Sequence, residues 1–578
     1  MRAFGFSAMV VALGLLMGSC AGPIAKAPQP IQDEPALSPP PRPPAPPTTT
    51  LPPSVPAPAI GASSAPPPIV LYSPKTRVLT DGAIAVAGAR LARGSPQVVD
   101  TERYRDVVPN GVKSVANEPV STFSIDVDTA SYGLVRSYLQ QGNVPPRDGV
   151  RIEELLNYFD YDYPLPVSRD EAFKPFIALA PSPWAAGKTL LHIGLQGYAE
   201  PPRERPPLNL VLLLDVSGSM DEPNKLPLVK QSIQVLVDQL SPRDRISIAV
   251  YAGAAGMVLE PTPGNEKGKI LGALDALKAG GSTAGGEGLA LAYALAERNF
   301  DRASINRVLI ATDGDFNVGI TSDQRLEDFV AAKRETGIYL TVLGYGRGNY
   351  NDALMQTLAQ KGNGNAAYID TLAEARKVLH DEIQASLFPI ADDVKIQIEF
   401  NPARIAEYRL IGYETRALAR EDFANDRVDA GEVGSGASVT AIYELTPIGG
   451  KTLFEPLRYQ SAPASTSVAG DEIAFLRVRH KAPGTQKSRL IERAIRADAA
   501  SASLAAAPEA TRFAIAVAAY GQLLRGDPYL DTPFGYDQVI GLANGAKGSD
   551  EFGWRAEFVQ LARAAAALRP ISPTDTGR

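Results

Sequence analysis

Soft metal ligands are scarce in this chain. One cysteine and three histidines in 578 residues exclude a Cys/His zinc site and any intramolecular disulfide framework. A basic surplus is missing too. Lys and Arg number 57 against 64 Asp and Glu, a formal net charge of −7. Nothing therefore marks a nucleic-acid surface, which needs clustered positive charge. Beyond the N-terminus no apolar run approaches the roughly 20 residues that cross a bilayer as a helix. The strongest strand pattern, Asn209–Asp215, is followed by neither G-x-x-x-x-G-K-[ST] nor G-x-G-x-x-G, which disfavours nucleotide and dinucleotide folds of those kinds. What the chain does have is 45 % apolar side chains, core enough for three or four folded units at roughly 150 residues each. It also has 49 prolines, more than a fully folded chain of this length usually carries.

The N-terminus explains part of that excess. Arg2 precedes an apolar run from Phe4 to Met17, too short for a comfortable span and patterned as a signal peptide over residues 1–19. Met17-Gly18-Ser19-Cys20 is similar to a bacterial lipoprotein lipobox. That resemblance implies lipidation of Cys20, which would then be the mature N-terminus. With Ala21 rather than Asp after it, it also implies the outer membrane of a two-membrane cell envelope. Residues 28–68 hold 17 prolines in 41 positions and only Asp33, Glu34 and Arg42 as charges. Such a segment has no apolar periodicity to bury and reads as an extended, solvated tether, here spanning 20–103. In polyproline II geometry, at about 3.1 Å per residue, its Pro-rich part reaches on the order of 100 Å.

Over 204–387 the pattern changes to alternating strands and helices. Asn209–Asp215 is nearly all apolar, as a strand buried on both faces requires. Val229, Ile233, Leu236, Val237 and Leu240 follow at helical spacing. Further strands are expected at Ile246–Tyr251, Val308–Thr312, Tyr339–Tyr345 and Ala366–Ile369. Helices are expected at 267–278, 286–298, 323–335, 352–361 and 373–386. This order predicts a doubly wound, mostly parallel sheet with helices on both faces, whose ligands bind outside the carboxyl ends of the strands.

Oxygen-rich motifs stand at those ends. Asp215-Val216-Ser217-Gly218-Ser219 follows one strand, Gly280-Gly281-Ser282-Thr283-Ala284-Gly285-Gly286 is a flexible hydroxyl-bearing loop, and Asp313-Gly314-Asp315 follows another strand. In order and placement they resemble the metal-ion-dependent adhesion site of the von Willebrand factor type A domain. By that resemblance Ser217, Ser219 and Thr283 ligate a cation, with Asp215 and Asp313 binding directly or through water. Hard oxygen donors suit Mg²⁺ or Mn²⁺. Few direct carboxylates leave the cation incompletely neutralised, so an Asp or Glu of a protein partner can complete its shell. The competing reading is that Asp215 and Ser217 merely cap the following helix. The motif loops are expected to lie outside the core, and no His, Lys or Cys is identifiable beside them.

The flanks carry their own marks. Ser121–Tyr132, Arg151–Phe159 and Ser182-Pro183-Trp184 in 104–203, and Tyr408–Tyr413 in 388–572, resemble the domains around the A domain in one family of bacterial A-domain lipoproteins. Asp126-Val127-Asp128-Thr129 is similar to the nucleophile motif of haloacid-dehalogenase phosphatases. That motif needs a buried strand before it, whereas Ser121–Ile125 is short and polar. A strand-end turn, or a second cation site, is the alternative. Strand patterns at Phe176–Leu179 and Thr189–Leu195, then at Val394–Phe400, Tyr408–Ile411, Val439–Leu445 and Ile473–Val478, predict a β-rich domain into which the α/β domain is inserted. Near the C-terminus Phe513, Val517, Tyr520 and Leu524 share one helix face, and Phe558, Leu561, Ala565 and Leu568 another.

The sequence thus predicts a non-enzymatic, lipid-anchored envelope protein that binds an acidic protein partner through a Mg²⁺ site. Its rivals are a structural envelope protein with a bracing metal, and a metal-dependent hydrolase.

Overall fold

Every residue of Leu208–Asp215 is buried, and its alternate side chains feed two different cores. Leu210, Leu212 and Leu214 pack with Val229, Ile233, Leu236 and Val237 of the helix Leu226–Asp238. Val211 and Leu213 pack with Leu289, Ala292 and Tyr293 of the helix Gly285–Arg298. The period of two in a strand thus explains why the run carries no interior charge. In this computed structural model, which describes residues 102–201, 204–282, 285–314, 323–455, 470–531 and 533–568, that strand sits inside a six-stranded sheet. The order is Ala366–Ile369, Ile338–Tyr345, Ile305–Thr312, Leu208–Asp215, Arg245–Tyr251 and Ala255–Pro263. All neighbours are parallel except the last pair. The predicted doubly wound α/β domain is present.

Two departures have local causes. Ala255–Pro263, an antiparallel edge strand with Met257 and Val258 exposed, lacks the apolar run by which the buried strands are recognised. The helix expected over 373–386 is broken into Leu372–Arg376, a π-helical turn Lys377–Asp381, and Ile383–Leu387. That widened turn carries Lys377 inward. Its ammonium lies 4.5 Å from the Tyr158 ring centre and 4.2 Å from that of Trp554, and pairs with Glu382.

The segments before and after this domain share sheets. Thr189–Gly197 pairs along its length with Ser438–Pro447, with Leu191 opposite Tyr443 and Ile193 opposite Ala441. Val120–Ser124 pairs with Pro389–Phe400. One antiparallel sheet runs Lys113–Ser114, Ile405–Ile411, Ser438–Pro447, Thr189–Gly197, Phe173–Pro181; the other is built on Pro389–Phe400, Glu472–Lys481 and Ser488–Arg496, with Gly431–Gly434 and Val120–Ser124 beside the first of these. Phe123, Leu191, Ile193, Ile396, Ile398, Tyr443 and Leu476 fill the core between them. Neither flank holds a complete sheet. Expressed apart, fragments 104–200 and 388–570 are expected to show no cooperative thermal transition by circular dichroism. A protease-stable fragment of either one would contradict the shared sheets.

The two helix faces read near the C-terminus meet each other. Phe513 in Glu509–Arg525 and Phe558 in Trp554–Ala567 stack edge to face at 5.5 Å, and Phe159 joins them at 5.0 Å from Phe513. These are core contacts.

The helix Ala130–Gln140 covers the edge strand Ala366–Ile369, so closely that a Cβ on Gly133 would lie 2.5 Å from the Tyr368 carbonyl oxygen. Asp128 accepts the Ala366 N–H at 2.7 Å. Arg136 pairs with Asp370 and Glu374 of the inserted domain and with Glu557 of the last helix. The open edge of the sheet is thereby closed by the flank, whose contacts reach the carboxyl end of the neighbouring strand, where Glu102 accepts the Gly348 N–H at 2.8 Å and Arg347 lies 3.5 Å over the Tyr138 ring.

Candidate metal centre

Parallel register brings the site together. Leu214 is opposite Ala311 and Asp215 opposite Tyr251, so Asp215, Tyr251, Thr312 and Asp313 emerge at one level beyond the sheet. Asp215 Oδ1 accepts the Ser217 N–H at 2.9 Å, turning the chain back over the strand end. Its Oδ2 accepts from the Tyr251 hydroxyl at 3.0 Å and from Thr312 Oγ1 at 3.2 Å. Ser217 Oγ and Ser219 Oγ are 3.0 Å apart; Ser217 is buried and Ser219 exposed. The glycine loop approaches from the side. The Gly218 N–H donates to the Gly281 carbonyl at 3.0 Å, and the Gly280 N–H to that of Val216 at 2.8 Å. Gly281 holds φ at +86°, a conformation that favours glycine.

Asp215, Ser217, Ser219 and Asp313 are thus brought to one end of the sheet. Thr283, Asp315 and the proposed lipidation site Cys20 lie outside the described residues. Two expectations need correction. The loops do not lie outside the core: Asp215 and Asp313 are both 0 % exposed, because they are strand-end residues, Asp215 held down by the Tyr251 and Thr312 hydroxyls and Asp313 by an ion pair. A lysine does stand beside the motifs. Lys225 Nζ is 3.2 Å from Asp313 Oδ2 and 3.3 Å from Asn349 Oδ1.

Tyr251 and Thr312 were also missed. Thr312 directly precedes Asp313, and Tyr251 ends the neighbouring strand, so register alone locates both. Lys225 carries a fainter signal. It stands at the N-terminus of the helix Leu226–Asp238, where the helix dipole disfavours a cation unless a carboxylate answers it.

The donor set is all hard oxygen, and one member is conspicuously unused. Asp313 Oδ1 is buried and has no hydrogen-bond partner among the described residues. Leaving a buried carboxylate oxygen bare is costly, and a divalent cation would satisfy it. Burial pushes the Asp215 carboxyl up to about 6, helped by the charge of Asp313 and opposed by Ser217. The native metal-free protein therefore holds a proton that the unfolded chain has already lost near pH 4. Between those values its stability falls as pH rises, and a cation must displace the proton. Calorimetric Mn²⁺ affinity is expected to fall about tenfold per pH unit below pH 6.

Asp126 and Asp128 reach a different outcome. With Glu154 they place carboxylate oxygens within 4.8 Å of one another. Arg416 pairs with both aspartates, at 2.8 and 3.1 Å, and Arg151 pairs with Glu154. The strand Val120–Ser124 ends just before them. They form the expected strand-end turn, locked by ion pairs.

Three family models match: von Willebrand factor over residues 98–192, von Willebrand factor type A domain over 209–384, and the C-terminal domain of the uncharacterized protein YfbK over 385–568. The uncharacterized protein YfbK of Escherichia coli (strain K12) is 45 % identical over 481 residues, covering 82 % of each chain. The chain belongs to the YfbK family. Among solved structures, this YfbK-family chain is similar to a von Willebrand factor type A protein from Catenulispora acidiphila. The two are 15 % identical with a TM-score of 0.40, covering 72 % of this chain and 93 % of the other. It is also similar to proximal thread matrix protein 1 of the mussel byssus, solved with a zinc-occupied adhesion motif. That match is 21 % identical with a TM-score of 0.25, covering 31 % and 45 %. No helix among the described residues of the YfbK-family chain is long and apolar enough to cross a membrane.

Proposed function

We propose that this protein is a non-enzymatic binding module of the bacterial envelope. It would hold Mg²⁺ or Mn²⁺ through Asp215, Ser217, Ser219, Thr283 and Asp313, and recognise an Asp or Glu side chain of a protein partner. The observation that carries this reading is Asp313 Oδ1, buried and without a hydrogen-bond partner among the described residues, at the strand ends where Asp215, Ser217 and Ser219 converge. A hard cation there would keep open positions for water or an incoming carboxylate. Lipid on Cys20 would anchor the chain to a membrane, in keeping with the outer membrane, and the Pro-rich segment would hold the folded body away from it.

One observation favours a bracing role instead. Asp215 already ties Tyr251 and Thr312 together, so a cation would tighten an existing knot. Hydrolysis has less to draw on, since the lysine at the site is paired with Asp313 and is poorly placed to act as a base.

Crosslinking pull-down from intact cells, with and without chelator, separates binding from bracing. Capture of a partner by wild type, lost both in chelator and in Asp215→Asn, supports the binding reading. Capture that persists in both would overturn it.

A further inference from the structure

Lys225 is built into the metal centre in a way that a chance surface lysine is not. Its side chain is 4 % exposed and that of Asp313 0 %. The stem runs across Gly346, where a Cβ would come within 2.3 Å of Lys225 Cε. Gly346 holds φ at +70°, so both its conformation and its missing side chain make room for the lysine. Gly314, at φ +93°, brings the same loop against Asp313, since a Cβ there would lie 2.4 Å from the Asn351 nitrogen. Asn349 of that loop takes the second hydrogen bond of the ammonium. The second acidic neighbour, Glu222 at 3.8 Å, is 60 % exposed and contributes little through water.

We propose that Lys225 is a tethered counter-ion of the metal centre, which supports the two buried carboxylates when no divalent cation is bound and lowers the affinity of the site for one. This rests on the metal-site reading above. Asp215 and Asp313 together present two negative charges, and Lys225 reduces them to one. An arriving divalent ion therefore meets half the attraction in a buried setting where charge interactions are strong. Because Lys225 engages only Oδ2, Asp313 keeps Oδ1 for the cation. Once loaded, the group of four charges is net positive, and an anionic side chain of a partner is drawn to it. Lys225 is a positioning residue that sets how strongly the cation is held and how much charge remains for the partner.

The test uses the full chain with Mn²⁺ as the probe. Calorimetry on wild type, Lys225→Met and Lys225→Gln reads affinity, and urea unfolding in chelator and in saturating Mn²⁺ reads support. Met keeps the length of the stem without charge. Gln keeps a donor toward Asp313 without charge and guards against a misfolded Met variant. Both are expected to bind Mn²⁺ tighter by on the order of tenfold or more. Both should unfold at lower urea than wild type in chelator, with the deficit closing in Mn²⁺. Equal or weaker Mn²⁺ affinity in both variants would overturn the counter-ion role. If wild type bound Mn²⁺ and Asp215→Asn did not, that result would fall on Lys225 alone. If wild type failed to bind Mn²⁺, the metal reading and the counter-ion would fall together.

Discussion

Asp215→Asn is expected to weaken Mg²⁺ and Mn²⁺ binding roughly a hundredfold while leaving the metal-free protein at least as stable as wild type. Asp215→Ala should lose the metal and stability together. The two substitutions differ because Asp215 does two jobs. Its charge faces the cation site, and its two oxygens receive the Ser217 N–H, the Tyr251 hydroxyl and the Thr312 hydroxyl. Asparagine keeps an acceptor for the Ser217 N–H, and the hydroxyls can turn to accept from its amide. It also removes a charge that burial disfavours. Alanine leaves buried donors unsatisfied, at about 1–3 kcal/mol for each group. Calorimetry with both metals and urea midpoints in chelator check the pair. Metal affinity in Asp215→Asn equal to that of wild type would reduce the loop to a helix cap.

A larger loss of stability is expected from a residue far from the site. Arg136 is 2 % exposed and donates to Asp370 at 2.8 Å, Glu374 at 2.7 Å, Glu557 at 3.1 Å and the Tyr158 hydroxyl at 3.2 Å. Arg136→Met preserves much of the volume but strands two buried carboxylates, and breaking a buried pair in this way costs about 3–5 kcal/mol. These two, Asp370 and Glu374, belong to the inserted domain, and the partly exposed Glu557 of the last helix loses its partner as well, so the loss should release the docking of the flank on the edge strand. Limited proteolysis should then cut near Asp370 before the cores unfold. Lys113→Ala is the control. Its pair with Glu118 is about half exposed on both sides, so its loss should lower the unfolding free energy read from urea curves by less than about 0.5 kcal/mol. A similar shift in both variants would show that the Arg136 network is not what holds the domains together.

The sequence made the interior of the inserted domain readable because burial on both faces leaves an unbroken apolar run, as in Leu208–Asp215. The helices Asp323–Glu335 and Asp352–Lys361 fall where their periodicity put them. Edge strands were the blind spot. Ser488–Arg496 is largely exposed and carries Arg489, Glu492, Arg493 and Arg496 among its nine residues, which is the composition of a protected edge rather than of a core strand. At the site, Asp215, Ser217, Ser219 and Asp313 were legible because the chemistry of a hard cation restricts the residue types and the strand ends fix their places. Lys225 was not, since its partner Asp313 is 88 residues away and only the turn of two glycines brings the intervening loop under it. The ring of Arg136 contacts was equally hidden, being made between segments as much as 421 positions apart.

The sharing of sheets between the two flanks also sets a timetable for the growing polypeptide. Thr189–Gly197, with six apolar or glycine residues among its nine, finds its second neighbour only when Ser438–Pro447 has been made. The whole inserted domain is synthesised in between. At about 5–20 residues per second this wait is on the order of ten to fifty seconds. During it the hairpin Phe173–Pro181/Thr189–Gly197 presents a bare, sticky margin to any other nascent chain. Early folding of the inserted domain shortens the effective gap, because its compact body carries the late strands back toward the early ones. A substitution that slows that domain would therefore first appear as aggregation during synthesis, before any change in the finished protein is measured.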